Sequence, residues 1–182
     1  MKKSVSISIL SADFLELKNE LDKIEKSNAD MLHFDVMDGV FVPNISFGFP
    51  VLDTVNKYTD MHLDVHLMIT DPLKYIDECV KFGADTITIH LESESDTEKT
   101  LDKIKKSGVK AGLSVKPGTP FEDAIPFMDK IDMLLIMTVE PGFGGQSFME
   151  DMLDKIAAAK KYINENNLDV AIEVDGGINN KT

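Results

Sequence analysis

Nowhere does the sequence hold an apolar run near the roughly 18 residues needed to span a bilayer, so no membrane helix is expected. The N-terminus also lacks the makings of a secretory leader. "MKKSVSISIL", residues 1–10, has two lysines but only a short apolar stretch broken by serines, with no small-residue cleavage site. It reads instead as a first strand, Met1–Leu10. Cysteine is nearly missing. Cys79 stands alone, so no disulfide can form within the chain, and a reducing cytoplasm is the natural setting. Its mid-helix position reads as packing rather than chemistry. Positive charge is scarce too: 19 Lys and Arg face 32 Asp and Glu, for a net charge of −13. Nucleic-acid binding rests on clustered cations and is not expected. A small anionic ligand is not excluded, because backbone N–H groups can hold a phosphate on an acidic protein. Low-complexity segments are absent, and hydrophobic residues reach 43%, enough for a real core. One domain over residues 1–182 is expected.

What the chain does have is alternation. Short apolar runs, "VSISIL", "MLHFDV", "HLDVHLMI", "TITIHL", "KAGLSV", "MLLIMTV" and "VAIEVDGG", read as seven strands. Helical stretches follow all but the last. In the first, Phe14, Leu17, Leu21 and Ile24 fall at helical spacing. In "DPLKYIDECVKFG", Asp71 suits an N-cap, Pro72 the first turn and Gly83 the C-terminal cap. A short helix is expected near Phe121–Met128, and a longer one over "SFMEDMLDKIAAAKKYINENN". Strand, helix, strand with short connections implies a parallel sheet. A repeat of roughly 25–30 residues predicts a (β/α)8 TIM-type barrel, of which about seven units are present. A flavodoxin-like open sheet is the structural alternative.

The polar residues gather at strand ends. Ser8, His33, Asp35, His66, His90 and Asp175 all fall there, where a parallel barrel builds its active site. His33 and Asp35 are two apart and share a face; so do Asp64 and His66, and Glu173 and Asp175. "HFDVMDG", residues 33–39, thus places buried charge at the end of a core strand, which is costly unless it is paired or bound to a metal. His33, Asp35, His66 and Asp175 make a set of two imidazoles and two carboxylates, suited to Zn, Fe, Mn or Co. A second motif, "VEPGFGGQSF", follows strand six. Its glycines Gly142, Gly144 and Gly145 let the backbone approach a ligand, and the helix after it would turn its N-terminus towards an anion. In "VDGGIN", Asp175 carries chemistry while Gly176 and Gly177 open the backbone.

"SILSADF", "HFDVMDGVFVPNISFG", "DVHLMI", "MTVEPGFGGQSF" and "EVDGGIN", in that order, resemble the ribulose-phosphate 3-epimerases. The resemblance runs from residue 5 to the end. It implies a (β/α)8 barrel that interconverts D-ribulose 5-phosphate and D-xylulose 5-phosphate with one divalent metal, zinc first, with iron, manganese or cobalt as alternatives. It places metal ligands on His33, Asp35, His66 and Asp175, and the two acid/base groups on Asp35 and Asp175. Ser8 and His66 match substrate contacts. Met37, Met68 and Met137 match methionines lining the site, although by pattern alone all three read as core. Gly144 and Gly145 match part of the phosphate cradle, beside Gly142, Gly176 and Gly177. Asp38 reads as a turn residue.

Two positions depart from the family's pattern: Ile7 stands where proline is usual, and Val40 where histidine is usual. The resemblance also implies a barrel that continues past Thr182 through helix, strand and helix, roughly forty residues on the size of one barrel unit. The sequence lacks that final helix-strand-helix, so exposed edges on strands one and seven are expected to favour association, and a homo-oligomer is expected. Two further readings stay open: an epimerase acting on a hexulose 6-phosphate, and a catalytically impaired fragment that binds metal or phosphate.

Overall fold

The computed structural model describes residues 3–182. Seven parallel strands pair strictly with their sequence neighbours: β1 (Ser6–Ser8), β2 (Met31–Met37), β3 (His62–Met68), β4 (Thr86–His90), β5 (Lys110–Val115), β6 (Met133–Met137) and β7 (Ala171–Asp175). Between them lie α1 (Leu17–Glu25), α2 (Phe49–Tyr58), α3 (Ile76–Lys81), α4 (Thr97–Lys106) and α5 (Met152–Glu165). The sheet curls into an open barrel. In a flat sheet β2 and β7 would stand about 24 Å apart, five strand spacings. Here His33 on β2 and Asp175 on β7 are 3.9 Å apart.

Strand alternation divides the curled sheet into two faces. Outward go Leu32, Phe34, Leu63, Val65, Leu67, Ile87, Ile89, Leu113, Leu134 and Ile136, which pack with Leu21, Leu52, Val55, Leu101 and Ile104 of the helices into the main core. The helices lie where this apolar face needs cover, as a parallel sheet requires. The concave face carries most of the polar side chains. Cys79 belongs to the outer core, and burial and then the charge of Glu78 push its thiol up to about 12, so it is an inert packing residue.

An aspartate stands just before every second strand. Its carboxylate accepts the N–H of the residue opposite on the preceding strand: Asp30 from Val5 at 3.0 Å, Asp85 from Leu63 at 2.8 Å, Asp132 from Ala111 at 2.8 Å. In return each aspartate's own N–H bonds that residue's carbonyl, at 2.8, 3.0 and 2.8 Å. These reciprocal clamps fix the register at the bottom of the sheet.

Several local expectations are revised. The first strand is shorter than Met1–Leu10. It begins at Ser6, just after Val5 gives its N–H to Asp30, and the chain turns after Ile9; Met1 and Lys2 lie outside the described residues. Asp71 occupies an N-cap position but caps nothing. Its carboxylate takes the Ser95 hydroxyl at 2.6 Å and the Lys74 ammonium at 2.7 Å, and the first turn, Pro72–Tyr75, is a 3-10 helix. Gly83 does take the left-handed φ of +95° that ends this unit. The segment after β5 is a 3-10 helix, Phe121–Phe127, with Pro126 inside it. Proline offers no N–H, so the α-helical ladder cannot propagate.

Asp85→Ala is expected to lower unfolding free energy by about 1–3 kcal/mol, since the Leu63 N–H of a buried strand loses its acceptor. Exposed Asp129→Ala serves as control and should stay within about 0.5 kcal/mol. Urea unfolding curves compare them. Equal stability of the two variants would contradict the clamp.

Candidate metal centre and active site

On β2, alternation turns His33, Asp35 and Met37 to the concave face, and the register sets His33 opposite Asp64 and Asp35 opposite His66. The curl brings Asp175 from β7 into the same space. His33 Nε2 is 3.2 Å from Asp35 Oδ1 and 3.4 Å from His66 Nδ1. His66 Nδ1 is 3.3 Å from Asp35 Oδ1, and both imidazoles stand 3.9 Å from Asp175 Oδ2. Donors bound to one tetrahedral cation at about 2.0–2.1 Å sit roughly 3.3–3.4 Å from each other. The four-residue set therefore fits a single divalent cation, with Asp175 the member that needs to move in slightly. His33, Asp35 and His66 are buried, while the Asp175 side chain keeps 32% exposure and faces the mouth.

A further row of polar groups holds His33, Asp35 and His66 in place. Ser8 donates its hydroxyl to Asp35 Oδ2 at 2.6 Å. Asp64 Oδ2 lies 2.8 Å from His33 Nδ1 and also accepts from Ser6 at 3.1 Å. Glu173 reaches the same corner, with Oε1 3.8 Å from His33 Nδ1, and shares a hydrogen bond with Asp64. Asp64 Oδ1 and Glu173 Oε2 are buried without a hydrogen-bond partner. On the other side, His66 Nε2 is 2.8 Å from His90 Nε2.

The titration of these groups follows from their packing. Burial alone would push the His33 imidazole down, but the carboxylates of Asp35 and Asp64 outweigh it and hold it well above its usual value. Burial would raise the Asp35 carboxyl; His33 and His66 outweigh that and hold it below the ordinary range. Glu173 goes the other way. Burial and then the negative charge of Asp64 push it up to about 9, so it is protonated at neutral pH.

The mouth is lined by sulfur and glycine. Met37 and Met68 pack with Val42 on one wall, and Met137 with Leu135 and Val139 on the other. All three methionines are thus buried, as a core reading predicts, yet on the concave side. Asp38 is the turn residue expected: Oδ1 accepts from the N–H groups of Val40 and Phe41, both at 2.8 Å, and Oδ2 from Thr70 N–H at 2.7 Å and its hydroxyl at 2.9 Å. Asn44 spans the opening by donating to the Gly142 carbonyl at 2.8 Å. Gly144 and Gly145 lie in the same loop, and a Cβ on Gly145 would meet nothing within 4 Å, so that backbone is open to a ligand. The helix after this loop begins only at Met152, with Asp151 before it and Asp154 in its first turn. Those acids oppose an anion, contrary to the expected role for its N-terminus. Gly176 and Gly177 serve packing first. A Cβ on Gly177 would fall 2.3 Å from the backbone nitrogen of Phe148, and one on Gly176 2.4 Å from Val139.

Sequence reasoning left Glu92, Ser6 and the roles of Asp64 and Glu173 unassigned. The i, i+2 spacing marked Asp64 and Glu173 as sharing faces with His66 and Asp175, but only the register shows what they touch.

With that geometry in view, the comparisons decide the family. The model of the ribulose-phosphate 3 epimerase family matches residues 4–182. The chain belongs to the ribulose-phosphate 3-epimerase family. It is 47% identical to ribulose-phosphate 3-epimerase of Bacillus subtilis, over 98% of this chain and 82% of that one. The cytoplasmic isoform of rice, Oryza sativa subsp. japonica, is 42% identical over 98% and 78% of the two chains. The Synechocystis sp. enzyme is 45% identical over 96% and 76%. Solved structures share the fold at low identity. A mutant tryptophan synthase α-subunit from Pyrococcus furiosus superposes with TM-score 0.62 at 11% identity, over 96% of this chain and 89% of that one. Phosphoribosyl anthranilate isomerase from Thermococcus kodakaraensis gives 0.58 at 14%, over 98% and 91%. Membership of the epimerase family makes the chain an isomerase acting on a pentose phosphate. Among the described residues no helix is long and apolar enough to cross a membrane.

Glu173 gives the centre a pH signature. An acid whose folded pKa is raised contributes stability that is fully present below its unfolded value, near 4.5, and is lost as pH climbs towards 9. In chelator-treated protein, Glu173→Gln should therefore match wild type near pH 4.5 and exceed it in stability near pH 9. Denaturant curves across that range test this, and a wild-type advantage at pH 9 would refute it.

Proposed function

We propose that the chain inverts C3 of D-ribulose 5-phosphate to give D-xylulose 5-phosphate, with Asp35 and Asp175 as the two proton-transfer groups. One observation carries this reading: two carboxylates from strands β2 and β7, on opposite sides of the open barrel, converge on one cluster with two imidazoles. Inversion beside a carbonyl needs one proton removed from one face and another returned to the other. Two carboxylates on opposite sides can act as base and acid and exchange roles with direction.

In one direction Asp35 takes the C3 proton, charge passes into an ene-diolate, and Asp175 returns a proton from across the mouth. Ser8, bonded to Asp35 Oδ2, holds that carboxylate's orientation at the substrate's edge. A divalent cation held by His33, Asp35, His66 and Asp175 would supply Lewis-acid stabilisation of the ene-diolate charge. Zinc suits a mixed imidazole and carboxylate set of four, and iron, manganese and cobalt take the same donors. Met37, Met68 and Met137 wall the centre with soft apolar surface that limits water without donating protons. The loop of Gly142, Gly144 and Gly145 would take the phosphate, with open space at Gly145 and with Gly176 and Gly177 beside it, and His66 would border the substrate. The single buried cysteine and the rice relative's name support a cytoplasmic enzyme. We place it in a homo-oligomer.

Asp35→Asn and Asp175→Asn are each expected to lower kcat for D-ribulose 5-phosphate by about 10²–10⁴. Turnover in heavy water should leave deuterium at C3 of the product. Either variant keeping near-wild-type kcat would rule out its proton-transfer role. A higher kcat/KM for a hexulose 6-phosphate would move the substrate to that sugar.

A further inference from the structure

His66 is gripped on both sides. Its Nδ1 faces the metal cluster, 3.3 Å from Asp35 and 3.4 Å from His33. Its Nε2 is 2.8 Å from His90 Nε2. Two ring nitrogens at that distance are joined by one proton, so one donates and the other accepts. Which does which is settled one step further out. His90 Nδ1 lies 3.2 Å from Glu92 Oε2, and a carboxylate only accepts. His90 therefore carries its proton on Nδ1 and shows a bare Nε2 to His66. The shared proton belongs to His66 Nε2; once a cation stands between His66 Nδ1 and Asp35 Oδ1, 3.3 Å apart, that leaves Nδ1 as the lone pair that binds it.

Glu92 is itself fixed as an acceptor. Its Oε1 takes the Lys116 N–H at 2.8 Å and the Thr119 hydroxyl. His90 has no exposure, and the Phe41 ring lies against it at 4.9 Å between centroids, with the Lys116 ammonium 3.7 Å from the centre of that ring. The imidazole cannot turn or borrow a water. His33 is set independently, by Asp64 on its Nδ1.

We propose that His90 and Glu92 are positioning residues that fix the tautomer of His66, so that its Nδ1 is kept bare for a divalent cation. The proposal rests on the metal-site reading above. It extends that site outward by two residues that touch neither cation nor substrate, in the way outer partners of metal-bound histidine orient the ring. Glu92→Gln tests the direction of the chain of protons. The Lys116 N–H still demands an oxygen, so the amide turns its NH2 to His90 Nδ1. The His90 proton then moves to Nε2, and His66 must carry its own on Nδ1, where it blocks the cation.

The experiment measures Co2+ affinity of the full chain by competition with a chromophoric chelator, together with the visible Co2+ spectrum. Unfolding midpoints of the chelator-treated proteins are recorded alongside. Glu92→Gln and His90→Leu are expected to bind Co2+ about 10–100-fold more weakly than wild type. His90→Gln keeps an acceptor near the Nε2 position and should stay close to wild type. Without metal the Glu92→Gln protein should stay folded with a lowered midpoint, because the carboxylate accepts from Lys116, Thr119 and His90. Wild-type affinity in Glu92→Gln and His90→Leu overturns the proposal, as does a His90→Gln protein as weak as His90→Leu, which would make the role one of packing. No Co2+ binding by the wild type sinks the metal-site reading and this proposal with it.

Discussion

Charge buried against the concave face of a curled parallel sheet sets the terms for the rest of this structure. His33 and Asp35, buried in the interior, are stable only while paired or bound to a cation. Every neighbour serves that need. Ser8 and Ser6 donate to the carboxylates, Asp64 takes up one face of His33, Glu173 is forced neutral, and His90 relays His66 to Glu92. The outer face of the same strands is purely apolar and gives the chain its core. Stability and chemistry therefore sit on opposite faces of one sheet, divided by nothing more than strand alternation.

Much of this was legible in the sequence. The seven strands, their order and the barrel class follow from apolar runs alternating with helical stretches. The candidate ligand set follows from polar residues at strand ends with i, i+2 spacing. The pairings were harder to see. Whether His33 leans on Asp64 or Asp35 depends on a register that only the folded sheet fixes: the two residues face each other across β2 and β3, while Asp35 meets His66 one pleat further on. Glu92 lies beyond the end of β4, in a loop whose path no periodicity reveals. The aspartate clamps escaped notice because each acts on a strand some two dozen residues away.

The loops show a similar limit. A glycine-rich stretch reads as a ligand cradle in the sequence, yet only Gly145 of the Gly142–Gly145 loop has open space beside it, while Gly142 packs against Val42 and Pro43 and Gly144 against Ser11. The same reading of Gly176 and Gly177 misses that both glycines are packed tightly against the β6 loop. Glycine permits close approach, but sequence does not say whether a ligand or another piece of backbone approaches. The α5 N-terminus makes the point from the other side, since Asp151 and Asp154 at its start oppose the anion that the preceding glycines suggest in the sequence. The methionines belong to both readings at once: buried like core, yet facing the chemistry.

The central claim is that the convergence of His33, Asp35, His66 and Asp175 is a working cation site and not only a network of buried ion pairs. Metal-depleted protein, assayed for conversion of D-ribulose 5-phosphate while a divalent cation is added back in known amounts, tests it most directly. The account predicts no turnover without the cation and full recovery at one equivalent per chain. Full turnover by protein shown to be metal-free would contradict it.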